Sequence, residues 1–567
     1  MPDATGLTLT LADVIASLEA DPGLAPTRRR DLCSAVRRVA GMLERDPARL
    51  PASLPEIRRA LAGVTPAQAG ISTKTFQNIR SDLLASLRHV GANRHPGTAR
   101  LPGPPWQALY DRLPSQRLQN GLSRFFRFCS ALGIEPEQVD DGVMDQFISF
   151  VREHTLARKP NAIHRSTCRI WNEATNCVPG WPQVVITVPD YRAPRTTLPF
   201  SAFPAPFQAE VDRYLDWLTK PDPFDDSRPR RALRPRTLAL RRKHIELAAS
   251  AWVKRGNPPE ALSSLADLVQ LETVKEILRH YLSRNEPITP AFLNSLAQAL
   301  FSIAKDWVGV DEAHLEGLRN VRRRLPPVLA GMTDKNRAVL RQFEDGETLR
   351  RLLFLPQQLL AEARKIGANS ERAAIKAQLA VAIELLLMAP IRMSNLIAIR
   401  VGEELIRPGG RTGSYRLVID PAETKNAEPI EFALPPELSE LIDIYLQQFH
   451  PLLTRPDTPY LFPAKASGHK AQQTLSQQLQ GKLLERLGFK MTPHQFRHLS
   501  AWLYLRRHPG NFVTVQKLLG HKNIKTTINF YAKLDTAMAA QHYDALIAEE
   551  REALKAAPPP RRRRHRS

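Results

Sequence analysis

Apolar side chains recur at steps of three and four along most of the chain, which is the period of amphipathic helices. In the N-terminal half this spacing marks three comparable segments: Leu32, Val36, Val39 and Leu43; Leu118, Leu122, Phe125 and Cys129; and Ile245, Ala248 and Trp252. Gly133 and Gly256 open the same pattern, Gly-x-x-Pro-Glu-x-apolar, after the second and third segments. Because glycine commonly ends a helix and proline commonly begins the next, each pattern predicts a helix, a turn and another helix.

These segments predict three related helical modules in the N-terminal half. Further amphipathic stretches follow each segment and Pro-rich stretches separate them, which places the modules at residues 1–98, 105–195 and 196–328. The relation rests mainly on the shared Gly-Pro-Glu turn, because unrelated helical bundles also look alike in sequence. Three unrelated bundles are the alternative that stays open.

The C-terminal half adds a different element to the helices. Tyr415, Leu417 and Ile419 alternate with polar residues, as do Ile430, Phe432 and Leu434. The turn-rich segment between them predicts an antiparallel hairpin with Lys425 near its tip. The fold class is therefore mainly α and multidomain, with repeated helical N-terminal modules and a C-terminal domain at residues 335–555 that carries a small antiparallel sheet.

The charge of the chain indicates a polyanionic partner. Lysine and arginine number 80 against 57 aspartates and glutamates in 567 residues, so the net charge is +23. Such an excess suits nucleic acid. Eight cations fall within sixteen residues and are the candidate contacts to DNA phosphates: Arg228, Arg230, Arg231, Arg234, Arg236, Arg241, Arg242 and Lys243. A solvated surface without a ligand is the alternative reading of this run.

Other features bound the location of the protein. The first 22 residues lack the basic start and apolar run of a signal peptide, and no apolar stretch approaches the roughly 20 residues of a membrane span. Four scattered cysteines without a Cys-x-x-Cys pair argue against a disulfide scaffold or a zinc site. We expect a cytoplasmic protein without a membrane partner, metal or other cofactor. Residues 556–567 place four consecutive arginines after three prolines and predict a disordered basic tail.

An ordered set of chemically active side chains lies in the C-terminal domain. Arg392 follows the apolar segment 381–388, which predicts a buried helix that fixes the position of the arginine. Four more candidates follow in chain order: His494 and Arg497 in a His-x-x-Arg pair, His521 after Leu-Gly, and Tyr531 ten residues later. Each has an ordinary structural alternative when taken singly, and Tyr504 and Tyr543 compete with Tyr531. The order of the whole set carries the signal.

The segment from Arg392 to Tyr531 resembles the catalytic domain of the tyrosine recombinases, the phage-integrase family, which cut and rejoin DNA through a phosphotyrosine. The resemblance implies six catalytic residues: Arg392, Lys425, His494, Arg497, His521 and the nucleophile Tyr531. Residues from about 230 to 310 resemble the core-binding domain of the family more weakly. Three departures stand out: Pro390-Ile391 in place of Thr-Gly, Asn395 in place of Glu, and ten residues rather than nine between histidine and tyrosine.

The chemistry of phosphodiester cleavage accounts for these residue types. Two guanidiniums, Arg392 and Arg497, suit the negative charge that develops on the non-bridging oxygens. The resemblance implies that His494 helps to remove the proton of Tyr531, because a phenol with a pKa near 10 is a weak nucleophile. It further implies that Lys425 protonates the departing 5′ oxygen and that His521 donates a hydrogen bond to a phosphoryl oxygen.

The function implied by the resemblance is site-specific recombination that integrates, excises or transposes a mobile element in a prokaryotic cytoplasm. The expected partners are double-stranded DNA and three further copies of the chain, as a homotetramer on two DNA sites. That assembly exchanges a C-terminal helix, for which residues 543–554 are the candidate. A type IB topoisomerase and a catalytically silent DNA-binding regulator are the alternatives. The target sequence, the need for accessory proteins and delivery of the tyrosine in cis or in trans stay open, as does the role of the extra N-terminal modules, whose arginines Arg28, Arg29, Arg30, Arg37 and Arg38 favour DNA.

Overall fold

The computed structural model describes residues 9–93, 95, 101–191, 197–222, 224–225, 228–229, 231–284, 288–328, 331–410, 413–421, 429–454 and 458–556. For residues 532–539, 541–542 and 556 only the backbone is described. Three predictions made above fall outside the described residues: Lys425, Arg230 and the tail from residue 557 onward.

The chain divides into two compact units, Met1–Asp190 with Gly331–Ser567, and Tyr191–Ala330. Where the chain is described it is mostly helical, with a small antiparallel sheet, which confirms the predicted mainly α class. The boundaries of the four predicted domains stay predictions. No helix in the described part of the chain combines the length and hydropathy that a membrane span requires.

In its described residues, the N-terminal part of the first unit is built from eight α-helices with two short 3-10 turns. The helices are α1 Leu11–Ala20, α2 Pro26–Met42, α3 Leu54–Leu61, α4 Thr73–His89, α5 Pro104–Asp111, α6 Gln116–Leu132, α7 Asp141–His154 and α8 Pro160–Cys177. Two separate hydrophobic clusters form here, one on α1 to α4 and one on α5 to α8. Leu156, just after α7, packs into the first of them, so the connection between α7 and α8 joins the two helical groups.

The second unit is a helical bundle with its own core. Its helices are α9 Ala205–Trp217, α10 Pro235–Val253, α11 Leu265–Leu268, α12 Leu271–Leu282, α13 Pro290–Ile303 and α14 Glu312–Arg323. Ile245 and Ala248 of α10 are fully buried, as their spacing in the sequence predicts. A single cluster of buried side chains runs through all six helices.

The repeated Gly-Pro-Glu turn has the same local structure in both of its copies. Gly133 and Gly256 have φ angles of +67° and +101°, and each is followed by a one-turn 3-10 helix, Pro136–Gln138 or Pro259–Ala261. A comparable turn follows α2, where Glu44 takes the positive φ angle, +52°, and Pro47–Arg49 forms the 3-10 helix. The first segment thus has the same order of elements, although its sequence lacks the glycine.

Where it is described, the C-terminal part of the first unit holds ten α-helices around one core. They are α15 Asp334–Arg341, α16 Gly346–Leu353, α17 Leu355–Ile366, α18 Glu371–Met388, α19 Met393–Ala398, α20 Pro436–Ile444, α21 Gln472–Leu487, α22 Pro493–Arg507, α23 Phe512–Leu519 and α24 Ile524–Ala556. Helix α18 carries apolar or alanine side chains on every face, and nearly all of them are buried. The helix therefore lies at the centre of this core.

The predicted hairpin is present as two strands of a three-stranded antiparallel sheet. Strands β1 Leu405–Ile406, β2 Arg416–Ile419 and β3 Ile430–Ala433 lie in that order, with Leu417 opposite Phe432. Leu417 and Ile419 point into the core, as their alternation predicts. The sheet therefore brings the ends of the loop that contains Lys425 next to the helical core.

Candidate active site

Arg392 is placed by the buried helix α18. That helix ends at Met388, and Arg392 is the N-cap residue of α19, where its carbonyl accepts hydrogen bonds from the amides of Asn395 and Leu396. The guanidinium is half-buried and makes no hydrogen bond or ion pair to any described residue. Burial lowers the pKa of Arg392 from its ordinary value. A fixed backbone thus presents a cation whose donors remain available to a ligand.

Arg497 lies on α22 and ties together the two segments that carry other site residues. Its side chain is buried, with one terminal nitrogen donating to the carbonyl of Pro390 and the other to that of Leu519, both at 2.5 Å. Pro390 lies two residues before Arg392, and Leu519 lies two residues before His521. Because a guanidinium has five N–H donors, three remain after these two bonds. Arg497 therefore both organises the site and can still bind an oxyanion.

Tyr531 lies on the second turn of α24, and its side chain is buried. The Nδ1 atom of His498 lies 3.0 Å from the phenol oxygen of Tyr531. His498 directly follows Arg497 on α22, so one helix turn supplies both the buried arginine and the partner of the tyrosine. Burial raises the pKa of Tyr531, and attraction to Arg497 acts in the opposite direction.

The direction of the hydrogen bond to Tyr531 follows from a chain of polar groups behind it. The backbone amide of Thr492 donates to Oε1 of Gln495 at 2.7 Å, which leaves the amide nitrogen of Gln495 to donate to Oδ1 of Asn336 at 3.1 Å. The amide nitrogen of Asn336 then donates to Nε2 of His498 at 3.2 Å. An imidazole whose Nε2 accepts carries its proton on Nδ1 when it is neutral. His498 therefore donates its Nδ1 proton to the oxygen of Tyr531.

His521 follows Gly520, which ends α23 in the left-handed conformation with φ of +56°. Its Nδ1 atom lies 2.9 Å from the hydroxyl of Thr527 on α24, and its backbone amide donates to the carbonyl of Gln516. The first contact holds the ring at Nδ1, and the second fixes the backbone of the turn. The Leu-Gly-His turn thus connects α23 to the helix that carries Tyr531.

Electrostatic interactions join the described candidates into one cluster. Burial lowers the pKa of Arg497 to about 10, helped by repulsion from Arg392. The pKa of His521 is lowered to about 4. Burial is the largest cause, and repulsion from Arg497, Arg392 and His494 adds to it. The pKa of His498 falls to about 4 for the same reason, burial, with His494 as the next largest cause. Both imidazoles are consequently neutral at pH 7.

The structure thus brings five of the six predicted catalytic residues together, and the sixth, Lys425, lies outside the described residues. The side chain of His494 is exposed, and its ring centre is 5.0 Å from that of His498. A cavity of about 460 Å³ next to β3 is lined by Arg497, Lys517 and Gly520, among others. The catalytic roles of the six residues stay predictions.

The predicted DNA contacts of the second unit fall into two groups. Arg228, Arg231, Arg234, Arg236 and Lys243 have exposed side chains, whereas Arg241 and Arg242 are half-buried. Arg241 donates to the carbonyl of Ala299, and Arg242 forms an ion pair with Asp212. The half-buried pair therefore has structural contacts. Among the exposed residues, Arg228 forms an ion pair with Asp225, and Lys243, in the middle of α10, forms one with Glu246. The role of all these residues as phosphate contacts stays a prediction.

Two residues of the site were not assigned a role from the sequence. His498 directly follows the His-x-x-Arg pair in the sequence, but only the fold shows which of the two histidines of α22 contacts Tyr531. Asn336 on α15 lies 162 positions before His498 in the chain, and no local pattern marks it. Hydrogen-bond partners that distant in sequence become visible only when the helices are packed.

Residues 358–538 match the family described as the phage integrase family. Among curated proteins, a tyrosine recombinase XerD from Brucella suis biovar 1 (strain 1330) is 43% identical over 75 residues, which are 12% of this chain and 24% of that protein. A tyrosine recombinase XerC from Pseudomonas savastanoi pv. phaseolicola is 27% identical over 168 residues, 29% of this chain and 50% of that protein. The chain therefore spans about a quarter to a half of the length of these relatives.

Solved structures resemble the chain at low identity. A lambda integrase fragment, residues 75–356, crystallised as a dimer bound to a core site, is 16% identical, with a TM-score of 0.35 and coverage of 57% of this chain and 93% of that one. The integrase of the Tn1549 transposon, in complex with a circular intermediate DNA, is 15% identical, with a TM-score of 0.32 and coverage of 55% and 94%.

Proposed function

We propose, from the premise that the C-terminal region of this chain belongs to the phage integrase family, that the protein is a site-specific DNA recombinase with Tyr531 as its nucleophile. One observation carries the proposal. The oxygen of Tyr531 is held by His498 within electrostatic reach of Arg497, which in turn interacts with Arg392. A phenol oxygen near one guanidinium, with a second guanidinium within electrostatic range of the first, suits attack on a phosphodiester.

In the proposed cleavage step, the oxygen of Tyr531 attacks the phosphorus and forms a new P–O bond while the bond from phosphorus to the 5′ oxygen breaks. The products are a 3′-phosphotyrosine and a free 5′ hydroxyl. The phenol proton leaves the tyrosine, with His494 as the proposed base, and the 5′ oxygen gains a proton, with Lys425 as the proposed acid. In the second step a 5′ hydroxyl of a partner duplex attacks the phosphotyrosine, which restores the phenol and joins the strands.

The described residues supply distinct contributions to this step. The guanidinium of Arg392 has no hydrogen-bond partner among the described residues, and it is proposed to bind one non-bridging oxygen. The three remaining N–H donors of Arg497 are proposed to bind the same developing negative charge on the phosphate. His521 is proposed to donate to a phosphoryl oxygen. His498 stabilises the negative charge that develops on the oxygen of Tyr531, because its Nδ1–H already points at that atom.

The proposed partners are duplex DNA and other copies of the chain. A net charge of +23 supports binding to a polyanion. We propose a homotetramer on two DNA sites that integrates or excises a mobile element in a prokaryotic cytoplasm. The segment proposed for exchange between copies, residues 543–554, belongs to the same continuous helix as Tyr531, since α24 runs from Ile524 to Ala556.

Covalent trapping on nicked DNA tests the nucleophile. Suicide substrates tiled across the DNA on both sides of the gene are incubated with the full chain, and covalent complexes are counted on denaturing gels. We expect trapping by the wild type, none by Tyr531→Phe, and wild-type trapping by the control variants Tyr504→Phe and Tyr543→Phe. Trapping that persists in Tyr531→Phe contradicts the assignment.

The same substrates separate the proposed function from the two alternatives. A recombinase exchanges strands between two duplexes that carry the trapped site. A type IB topoisomerase relaxes supercoiled DNA without such exchange, and a silent DNA-binding regulator forms no covalent complex on any tile. Exchange that depends on Tyr531 is the result expected here.

A further inference from the structure

A strongly cationic recess, separate from the candidate active site, lies in the N-terminal part of the first unit. It is a cavity of about 920 Å³ between α4, α6 and the beginning of α8, and no residue of the candidate active site lines it. Six of its lining residues are cations: Arg80, Arg88, Arg124, Arg127, Arg158 and Lys159. Among the described residues that line it, none is an aspartate or a glutamate. The recess therefore concentrates positive charge without a compensating carboxylate.

The hydrogen bonds of these cations leave their charge uncompensated. Arg80 donates to the carbonyl of Leu156, Arg158 to that of Val64 at 2.5 Å, and Arg127 to the hydroxyl of Ser123 at 2.9 Å, all of which are neutral acceptors. The side chains of the other three, Arg88, Arg124 and Lys159, are exposed and make no hydrogen bond or ion pair within the described part of the chain. Three cationic side chains that are not engaged by other described residues thus line the recess.

The arginines of α2 show that the same part of the first unit also contains cations with partners. Arg28 pairs with Asp82 and Arg37 pairs with Glu19, while Arg29 donates to the neutral backbone carbonyls of Asp21 and Leu24. These three of the arginines that the sequence singled out are therefore used within the fold. Arg38 on the same helix is exposed and has no partner among the described residues, so the recess is one of the places where available cations remain.

Helix α8 reinforces the positive potential of the recess. It has eighteen residues and begins at Pro160, and no side chain caps its N-terminus at Lys159. Lys159, Ala162 and Ile163, from its first turn, line the cavity. Pro160 has no amide hydrogen, and the amides of Ala162 and Ile163 already donate to the carbonyl of Lys159, so the contribution of this helix is the positive end of its dipole. That partial charge favours an anion at the same place as the cationic side chains.

We propose that this recess binds the phosphate groups of duplex DNA at a site separate from the candidate active site. The identification of the ligand as DNA rests on the proposed function. The charge and geometry of the recess are observed independently of that function. Its cations are spread over α4, α6 and the start of α8, wider than a single phosphate needs, and duplex DNA carries one negative charge per about 1.7 Å of its axis. The N-terminal helices thereby hold a second stretch of DNA during recombination.

The salt dependence of DNA binding tests the recess directly. The full chain is titrated with a duplex of arbitrary sequence at several salt concentrations, and the slope of log Kobs against log salt is measured. In a triple variant, Arg88→Gln, Arg124→Gln and Lys159→Gln, we expect the slope to become shallower by about two to three, because each lost phosphate contact changes it by about 0.9. These three residues make no contact that folding depends on, so the variant should remain folded.

The matched control removes the same charge from three arginines of α2 that lie beside carboxylates: Arg28 beside Asp82, Arg37 beside Glu19, and Arg30 at 4.0 Å from Asp31. Arg28→Gln, Arg30→Gln and Arg37→Gln should change the slope by less than one. A second variant, Arg88→Lys and Arg124→Lys, keeps the charge and should keep the wild-type slope. A slope in the Gln triple variant equal to that of the control overturns the proposal. A second outcome also overturns it. If the Gln triple variant keeps the wild-type salt slope but is no longer stabilised against heat by inorganic tripolyphosphate, the recess binds a small polyanion and not DNA.

Covalent trapping separates this inference from the proposed function. The triple variant retains Tyr531 and the active-site residues, so at saturating DNA it should still be trapped on the suicide substrate. Trapping with an unchanged salt slope overturns the recess alone. A shallower slope in the triple variant, with no trapping by any form of the protein, overturns the proposed function and leaves the recess as a DNA site.

Discussion

The Nδ1 atom of His498 donates a hydrogen bond to the oxygen of Tyr531 over 3.0 Å, and Asn336 fixes that direction by donating to the opposite nitrogen of the ring. A histidine held in this tautomer cannot accept the proton of the tyrosine through Nδ1. It can, however, stabilise the phenolate as the proton leaves. The proton must therefore leave along another path, for which the neighbouring His494 is the proposed acceptor.

Loss of the His498 donor should slow cleavage while leaving DNA binding intact. A hydrogen bond to a charged group contributes about 1.5–3 kcal/mol, so His498→Ala should lower the single-turnover rate of covalent trapping roughly 10- to 150-fold. His498→Asn places an amide donor near the position of Nδ1 and should retain more of the rate. Equal losses in the two variants would indicate that the ring acts by packing alone.

The tautomer of His498 should reverse when Asn336 becomes a carboxylate. In Asn336→Asp only acceptors face Nε2 of His498, so that nitrogen must gain a proton. Nitrogen NMR of histidine-labelled protein should show Nε2 without a proton in the wild type and with one in the variant. Asn320→Asp, on α14 of the other unit, is the control and should leave the His498 signals in place. A protonated Nε2 in the wild type would contradict the hydrogen-bond chain.

The buried histidines should make stability fall at acidic pH. The pKa of His498 is lowered from its ordinary 6.5 to about 4, so the unfolded chain binds a proton before the folded chain as pH decreases. The stabilisation is complete above about pH 6.5 and is lost as pH falls toward 4. Between pH 7 and 4.5 the free energy of unfolding of the wild type should decrease by roughly 2 kcal/mol more than that of His498→Asn. Chemical denaturation at both pH values measures the difference, and parallel losses would contradict it.

The two site arginines should differ in their effect on stability. Arg497→Gln breaks the bridge between the carbonyls of Pro390 and Leu519, and it should lower the free energy of unfolding by roughly 2–4 kcal/mol as well as abolish trapping. Arg392→Gln should abolish trapping with stability within about 0.5 kcal/mol of the wild type, because Arg392 has no hydrogen bond to a described residue to lose. Denaturation and trapping of both variants check the contrast. A large loss of stability in Arg392→Gln would show that this arginine also holds the fold together.

Gly331 should allow the close approach of α24, the helix that carries Tyr531. Its φ angle is +106°, and a Cβ atom there would lie 2.9 Å from the backbone oxygen of Asn529, two residues before Tyr531. Gly367 has nearly the same φ angle, +102°, with open space around it. Alanine should destabilise either position by about 1 kcal/mol, but only Gly331→Ala should also slow trapping, because α24 must shift. Equal trapping rates in the two variants would contradict this role.

The spacing of apolar residues was enough to predict the helices and the strand pair. Helix α18 and strands β2 and β3 form where a buried helix and an alternating pair were expected, because burial of apolar faces decides both. The turns at Gly133 and Gly256 were also visible, since positive φ angles favour glycine. The turn at Glu44 was not, because nothing in the sequence marks a glutamate for that conformation.

The residue types of the site were predictable from the sequence, but the hydrogen bonds between them were not. A resemblance in chain order selected Arg392, Arg497 and Tyr531, which the fold brings into one electrostatic cluster. The partner of the tyrosine was not selected, because His494 and His498 lie on the same helix and only packing against α24 distinguishes them. Asn336 was invisible for a similar reason, since its role depends on the approach of α15 to α22.

The length of α24 has a mechanical consequence. Tyr531 lies near its beginning, and the helix continues without a break to Ala556, twenty-five residues later. At about 1.5 Å per residue, that stretch is a rod of roughly 37 Å with the reactive oxygen at one end. In the proposed assembly, a neighbouring copy that binds the far end of this helix can therefore rotate or withdraw the tyrosine from a distance, which would let the assembly set when each proposed cleavage occurs.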